Sequence, residues 1–219
     1  MEPFNILTAV AAPYYHADVD TDEIIPHRFL RKPLSAGYGN FLFHDRRFDS
    51  EGRDIPDFVL NQTAYRNAQV LVTGANFGCG STREGAVYAL RDFGIRAVIA
   101  TSLAEIFSGN CVQNGVLPIA LPDSSVRKLC DEIEARPGAT VTIDLAQQTV
   151  TAPGGTVYRF DIEPTRKTLL LEGLDEIGLT LKHADAIARF EREYRERLPW
   201  LSARPERSAS HVEGRTEGA

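Results

Sequence analysis

The spacing of hydrophobic and polar residues changes character along the chain. Residues 1–60 show no helical period and are rich in Asp, Pro, Gly and aromatics, as in Asp18-Val19-Asp20-Thr21-Asp22-Glu23-Ile24-Ile25-Pro26 and Gly37-Tyr38-Gly39-Asn40-Phe41-Leu42-Phe43. This pattern predicts short strands joined by long loops, and long loops in a compact protein often carry function. Gln69 to Thr73 is a short β-branched run that reads as a buried strand. A glycine-rich turn follows, Gly74-Ala75-Asn76-Phe77-Gly78-Cys79-Gly80. Ser81-Thr82-Arg83-Glu84 then reads as the opening of a helix, with Ala86, Val87, Ala89, Leu90 and Phe93 as its apolar positions and Gly94 as its stop. Ile95 to Ala100 predicts the next strand, Leu103 to Phe107 a short helical turn, and Val116 to Leu121 a further strand ended by Pro122. Ser124 to Ala135 predicts a helix closed by Pro137-Gly138. Strand–helix–strand alternation of this kind predicts an α/β fold with a parallel or mixed sheet flanked by helices.

Thr140 to Asp144, Thr149 to Thr151 and Thr156 to Phe160 alternate with a period of two, and Gly154-Gly155 marks a turn between them. From Leu174 the pattern turns helical. Ile187, Phe190, Tyr194 and Leu198 share one face, and Glu191–Arg195 and Glu193–Arg197 are i,i+4 pairs on the other. Residues 202–219 hold Val212 as their only large aliphatic, which predicts a disordered tail after a single domain over residues 1–201. No internal repeat interrupts this organisation.

Composition narrows the function classes. The 219 residues are 43% hydrophobic and 25% charged, enough to bury a sizeable core. A net charge of −6 argues against nucleic acid as the main partner. Cys79, Cys111 and Cys130 form no Cys-x-x-Cys pair, so neither a zinc site nor an iron–sulfur cluster is expected within the chain. The apolar run from Ile6 to Pro13 is too short to span a membrane and lacks a preceding Lys or Arg, which predicts a cytoplasmic protein.

The strongest candidate for chemistry is Gly74 to Glu84. Gly78 and Gly80 permit left-handed backbone and a close approach to a ligand. Amides at a helix start, with the dipole behind them, favour an anion, and Arg83 offers a fork that grips a carboxylate. Ser81 would stand at the edge of that pocket. The competing explanation is structural: Ser81-Thr82-Arg83-Glu84 is also a Ser-x-x-Glu capping box. A cation in a first helical turn opposes the dipole, so Arg83 is better explained by an anion. The loop fits neither a dinucleotide fingerprint nor a P-loop, and no Gly-x-Ser-x-Gly elbow occurs. Asp18, Asp20, Asp22 and Glu23 could hold a metal or orient an arginine, or could simply end a strand in Asx turns. His16, His27, His44 and His183 show no ligand spacing, and Asn110-Cys111 with Gln113-Asn114-Gly115 read as turn residues near the site.

Three stretches together carry a resemblance. They are Asp20-Thr21-Asp22-Glu23-Ile24-Ile25-Pro26, Asn76-Phe77-Gly78-Cys79-Gly80-Ser81-Thr82-Arg83-Glu84 and Gly94-Ile95-Arg96-Ala97-Val98-Ile99-Ala100. Asn114-Gly115-Val116-Leu117-Pro118-Ile119 and Gly173-Leu174-Asp175-Glu176-Ile177-Gly178-Leu179-Thr180-Leu181 extend it, in order, over roughly residues 5–195. The chain resembles the small subunits of 3-isopropylmalate dehydratase, the detached swivelling domain of the aconitase superfamily. The resemblance implies a swivelling β/β/α domain of the aconitase C-terminal type. It implies a large partner subunit that bears a 4Fe–4S cluster, in a heterodimer or heterotetramer, and a small dicarboxylate substrate isomerised by dehydration and rehydration in leucine biosynthesis. It assigns Ser81 as the base, Arg83 as the grip on a substrate carboxylate, and Gly78, Gly80, Thr82 and Asp22 as its companions at the substrate. It also implies that the loop from Leu30 to Phe43 reads the substrate side chain, with Leu30, Leu34, Phe41 and Leu42 as an apolar pocket for an isopropyl group.

The chain departs from the family pattern at Gly85, where His is usual, and at Thr82, where a second Ser is usual. Val87-Tyr88 replaces a frequent Pro-Trp, Ala75 a frequent Asp and Asp18 a frequent Asn. These departures raise two alternatives: a paralogous dehydratase acting on citramalate, citraconate or maleate, and a non-catalytic anion-binding swivelling domain.

Overall fold

The computed structural model describes residues 1–202. The tail from 203 onward, where the sequence predicts disorder, lies outside the described residues. Strand β1 (Ile6–Tyr14) is the centre of the architecture. It pairs in parallel with β2 (Val70–Thr73), with Ala11 opposite Val70 and Tyr14 opposite Thr73. On its other edge it runs antiparallel to β5 (Thr140–Asp144), with Ala9 opposite Val141. Strands β3 (Ala97–Ala100) and β4 (Leu117–Ala120) continue the parallel side, and β6 (Thr149–Thr151) and β7 (Val157–Arg159) the antiparallel side. The sheet order among the described residues is β4-β3-β2-β1-β5-β6-β7.

The residue types fit this mixed sheet. β2 and β3 are buried at every position, as parallel strands covered on both faces must be, and they read as unbroken apolar runs. β4 holds Pro118, which lacks a donor and is tolerated because β4 is an edge. Helices cover the parallel side: α3 (Gly85–Phe93), α4 (Glu105–Gln113) and α5 (Asp123–Glu134), the last packed on β1 and β2.

The first 60 residues differ from expectation. Beyond β1 the chain forms two four-residue helices, α1 (Thr21–Ile24) and α2 (His44–Arg47), linked by 3-10 turns rather than by short strands. Asp20 caps α1, its carboxylate accepting the Glu23 N–H at 2.7 Å, which explains a helix with no apolar period. Two further departures concern helices. α4 extends to Gln113, so Asn110, Cys111 and Gln113 are helical rather than turn residues. α6 (Pro164–Glu172) forms where no element was expected, started by Glu163 accepting from Thr165 and Arg166 N–H and by Pro164 in the first turn. α7 (Glu176–Leu181) follows.

The described chain divides into two compact units, one over residues 1–179 and one from Thr180 onward. Within the second, α8 (Ala184–Arg197) and α9 (Pro199–Ser202) are the elements. α8 places Ile187, Phe190 and Tyr194 along one side, and Glu191 pairs with Arg195 at 3.2 Å. Leu198, expected on the same face, lies just past the helix end. No helix among the described residues is long and apolar enough to cross a membrane.

Candidate functional site

The site forms just beyond the C-terminal ends of β1 and β2. There the two connecting segments run side by side, with the Gly78 N–H donating to the Val19 carbonyl at 2.8 Å and the Thr21 N–H to the Cys79 carbonyl at 2.9 Å. Crevices at this end of open α/β sheets commonly hold ligands. Gly78 makes the turn possible twice over. Its φ of +76° disfavours a side chain, and a Cβ there would lie 2.2 Å from the Phe107 ring. Since the Gly78 amide already bonds Val19, its contribution is shape. Phe107 closes the turn from α4, and Asn110 donates to the Thr82 carbonyl at 3.2 Å from the same helix.

Ser81 does not cap a helix. α3 starts at Gly85 with Glu84 in the cap position, and neither Ser81 nor Glu84 makes the reciprocal capping bonds. Arg83 therefore lies before the helix rather than in its first turn. The Ser81 side chain is drawn elsewhere. Its Oγ accepts from the Arg83 Nε at 3.0 Å, from the Arg83 backbone N–H at 3.3 Å and from the Thr21 hydroxyl at 3.1 Å. Arg83 reaches past Ser81 to Asp22, with 3.3 Å from a terminal nitrogen to the carboxylate. Its side chain is 42% exposed, so the cation borders solvent. Ser81, Arg83 and Asp22 thus meet at one place, and Thr82 is exposed beside them.

The charges around Ser81 are mixed. Asp18 and Asp20 lie on the connection from β1 to α1, and Asp22 and Glu23 in the first turn of α1. Asp18 is tied to Asn76 at 2.8 Å. Glu23 accepts from the Tyr14 hydroxyl at 2.6 Å and from Arg46 at 3.2 Å. Burial, followed by the Glu23 contact, holds the Tyr14 phenol above its ordinary range. Cys79 is also raised, first by burial and then by Asp20 and Asp18, which keeps it a thiol and a poor nucleophile. Among the described residues, no group of three or more His, Cys, Asp and Glu side chains converges as a metal site. Cys111 on α4 and Cys130 on α5 are buried in the core.

The loop from Leu30 to Phe43 packs beside this centre. Leu30 and Phe41 are half-buried, and Leu34 is 56% exposed. Leu42 is fully buried, so its side chain supports the loop from within. Gly85 is buried at the start of α3, and a Cβ there would stand 2.3 Å from Leu30 Cδ2. The methyl of Leu30 therefore occupies the space into which any longer residue at 85 would project.

The residue overlooked by sequence reasoning is Thr21. It is only 4% exposed and bonds Ser81 twice, accepting the Ser81 N–H at 3.1 Å as well as donating to its Oγ. Its place in the Asp20-to-Pro26 stretch that carries the family resemblance was the signal available for it.

A mixed sheet with helices on its parallel side and a serine–arginine pair at the strand ends defines a domain of the aconitase C-terminal class. The family model described as the aconitase C-terminal domain matches residues 1–124. A model described as LeuD_N matches residues 127–164, and one for the C-terminal domain of 3-isopropylmalate dehydratase small subunits matches residues 176–204. The chain is 54% identical to the 3-isopropylmalate dehydratase small subunit of Parvibaculum lavamentivorans and 52% identical to that of Paramagnetospirillum magneticum, each over 92% of this chain and 100% of the relative. It is also similar to a crystal structure of 3-isopropylmalate dehydratase from Methanocaldococcus jannaschii, at 29% identity and a TM-score of 0.61, over 84% of this chain and 98% of that one. The chain belongs to the 3-isopropylmalate dehydratase small-subunit family.

Proposed function

We propose that the chain is the small subunit of a hydro-lyase that interconverts 2-isopropylmalate and 3-isopropylmalate by dehydration and rehydration. The observation that carries the catalytic reading is the convergence of three donors on Ser81 Oγ. A free serine is a poor base, because its alkoxide is unstable in water. Preorganised donors offset that cost, as they do wherever an oxyanion develops. Ser81 Oγ takes the proton from the carbon beside a substrate carboxylate and returns it on rehydration. Arg83 holds that carboxylate with the donors it turns toward solvent, while Asp22 fixes the guanidinium from behind. Thr82, Gly78 and Gly80 shape the wall around them.

The enzyme is completed by a large partner subunit. A 4Fe–4S cluster on that partner would supply Lewis acidity to the departing hydroxyl. This chain is a poor holder for such a cluster: two of its three thiols are buried, Cys130 is raised to about 12 by burial, and Cys79 is kept protonated. Leu30, Phe41 and Leu34 face the substrate side chain in this reading, with Leu42 supporting them.

Anaerobic reconstitution with the large subunit tests the proposal. Loss of the conjugated alkene of isopropylmaleate is followed, with citraconate and maleate in parallel. We expect isopropylmaleate to be preferred, and Ser81→Ala to lower kcat by roughly 10²- to 10⁴-fold. Preference for citraconate or maleate would replace the substrate. An active Ser81→Ala enzyme would remove the base.

A further inference from the structure

We propose that Thr21 is a positioning residue of the site, holding Ser81 from two sides and completing the donor set that receives its deprotonated oxygen. The inference rests on the reading of Ser81 as the base and deepens it. A neutral serine hydroxyl has two lone pairs and one proton of its own. Three donors point at Ser81 Oγ, one more than the neutral group can accept. An alkoxide has three lone pairs and accepts all of them. Two of the donors belong to Arg83. The third is the Thr21 hydroxyl.

The local geometry commits Thr21 to this task. Its oxygen accepts the Ser81 N–H at 3.1 Å, which steers its own proton away from that amide and toward Ser81 Oγ, also at 3.1 Å. Its backbone is anchored in both directions, the N–H to the Cys79 carbonyl and the carbonyl to the Ile25 N–H, each at 2.9 Å. A β-branched side chain on a pinned backbone has few rotamers to choose from. Thr21 is 4% exposed, so little water competes for the hydroxyl. Its Oγ1 also lies 3.5 Å from the position a Cβ would take at Gly80.

The charged and titratable groups about Ser81 are Arg83 on its own segment, Asp18, Asp20, Asp22 and Glu23 on the opposing one, and Cys79 in the turn. The acids oppose formation of an alkoxide and Arg83 favours it. Loss of a neutral donor from this balance leaves the acids unchanged and raises the pH at which Ser81 becomes an effective base.

The test uses the reconstituted two-subunit enzyme with its cluster content measured. Thr21→Val keeps the shape and removes both bonds. Thr21→Ser keeps both bonds. Thr21→Ala covers the case in which valine disturbs folding, and thermal unfolding of each variant reports packing separately. We expect Thr21→Val to lower kcat by roughly 10²- to 10³-fold, the range seen when one oxyanion donor is lost, with KM changed less than about twofold. The rising limb of kcat against pH moves to higher pH. Thr21→Ser restores both kcat and the limb. Unchanged kcat and pH profile in Thr21→Val and Thr21→Ala, with Ser81→Ala inactive, would overturn the proposal and leave the base in place. So would a Thr21→Ser enzyme as impaired as Thr21→Val. An active Ser81→Ala enzyme would overturn both.

Discussion

Arg83 does two jobs with one planar group. Its Nε serves Ser81 while a terminal nitrogen reaches Asp22. Lysine has a single point of charge and cannot span both partners. Arg83→Lys is therefore expected to lower kcat and raise KM together, about tenfold in kcat/KM or more, the loss of a charge-assisted bond of roughly 1.5 kcal/mol. Steady-state kinetics over a range of substrate concentrations separates the two effects. Gly78 offers a contrast, since its role is space. Gly78→Ala places a methyl against Phe107 in left-handed backbone, and a destabilisation of about 2–4 kcal/mol is expected in urea titrations. Ser81, Arg83 and Asp22 were legible because a known family pattern marks them. Thr21 was hidden, since a lone threonine among acids gives no chemical signal until the fold sets it against Ser81. The Ser-x-x-Glu pattern misled for the same reason: Thr21 on α1 and Arg83 ahead of α3 claim the serine that a capping box would use.

At the scale of elements, the loop before α2 is held on three sides. Arg47 donates to the carbonyls of Gly39 and Leu42 at 3.2 and 3.3 Å. Asp92 on α3 accepts the Gly39 N–H at 2.7 Å, and the Phe29 and Phe41 rings stack at 4.3 Å. Leu30 fits over Gly85 in the same region. Gly85→His, which would return this chain to the usual family residue, is expected to cost about 1–3 kcal/mol because Leu30 must move. Adding Leu30→Ala should recover part of that loss, and a double-mutant cycle by chemical denaturation measures the coupling. An ion pair fastens the loop further. Arg28 forks onto Asp45, with one arm at 2.8 Å, and lowers the carboxyl to about 2 from an ordinary 3.8. A depressed carboxyl stabilises the fold above the unfolded value and loses that contribution as pH falls from about 4 toward 2. Both side chains are more than half exposed, so the contribution is expected to stay below about 1 kcal/mol. Asp45→Asn should narrow the stability gap between pH 6 and pH 3, read from urea midpoints. The strands β2 to β7 were legible as apolar or alternating runs with glycine punctuation. β1 was obscured because its last positions are buried on both faces and do not alternate. α1 and α6 are started by side-chain caps, α2 has none, and all three run for fewer than three turns, too short to show a period.

For the whole molecule, the three thiols report on the integrity of the core. Cys111 and Cys130 are buried on helices that face the sheet, with thiols raised by desolvation, and Cys79 is raised beside two aspartates. Native protein at neutral pH is expected to react slowly at Cys79 alone with an aromatic disulfide reagent, and at all three in denaturant; rapid reaction of Cys111 or Cys130 would contradict the packing. The fold class was legible at this scale because strand and helix signals alternate through the middle of the sequence. The sheet order was not, since no local pattern shows that the first strand lies between partners from distant parts of the chain. Ala11 waits for Val70, and Val10 for Thr140. On a ribosome adding roughly 5–20 residues per second, the central strand emerges seconds before its second neighbour exists. Until then an apolar ribbon has one bare edge, open to capture by chaperones or by another nascent chain. Transcripts cut short before the codon for Asp144 should therefore yield insoluble product, however intact the residues at Ser81 and Arg83.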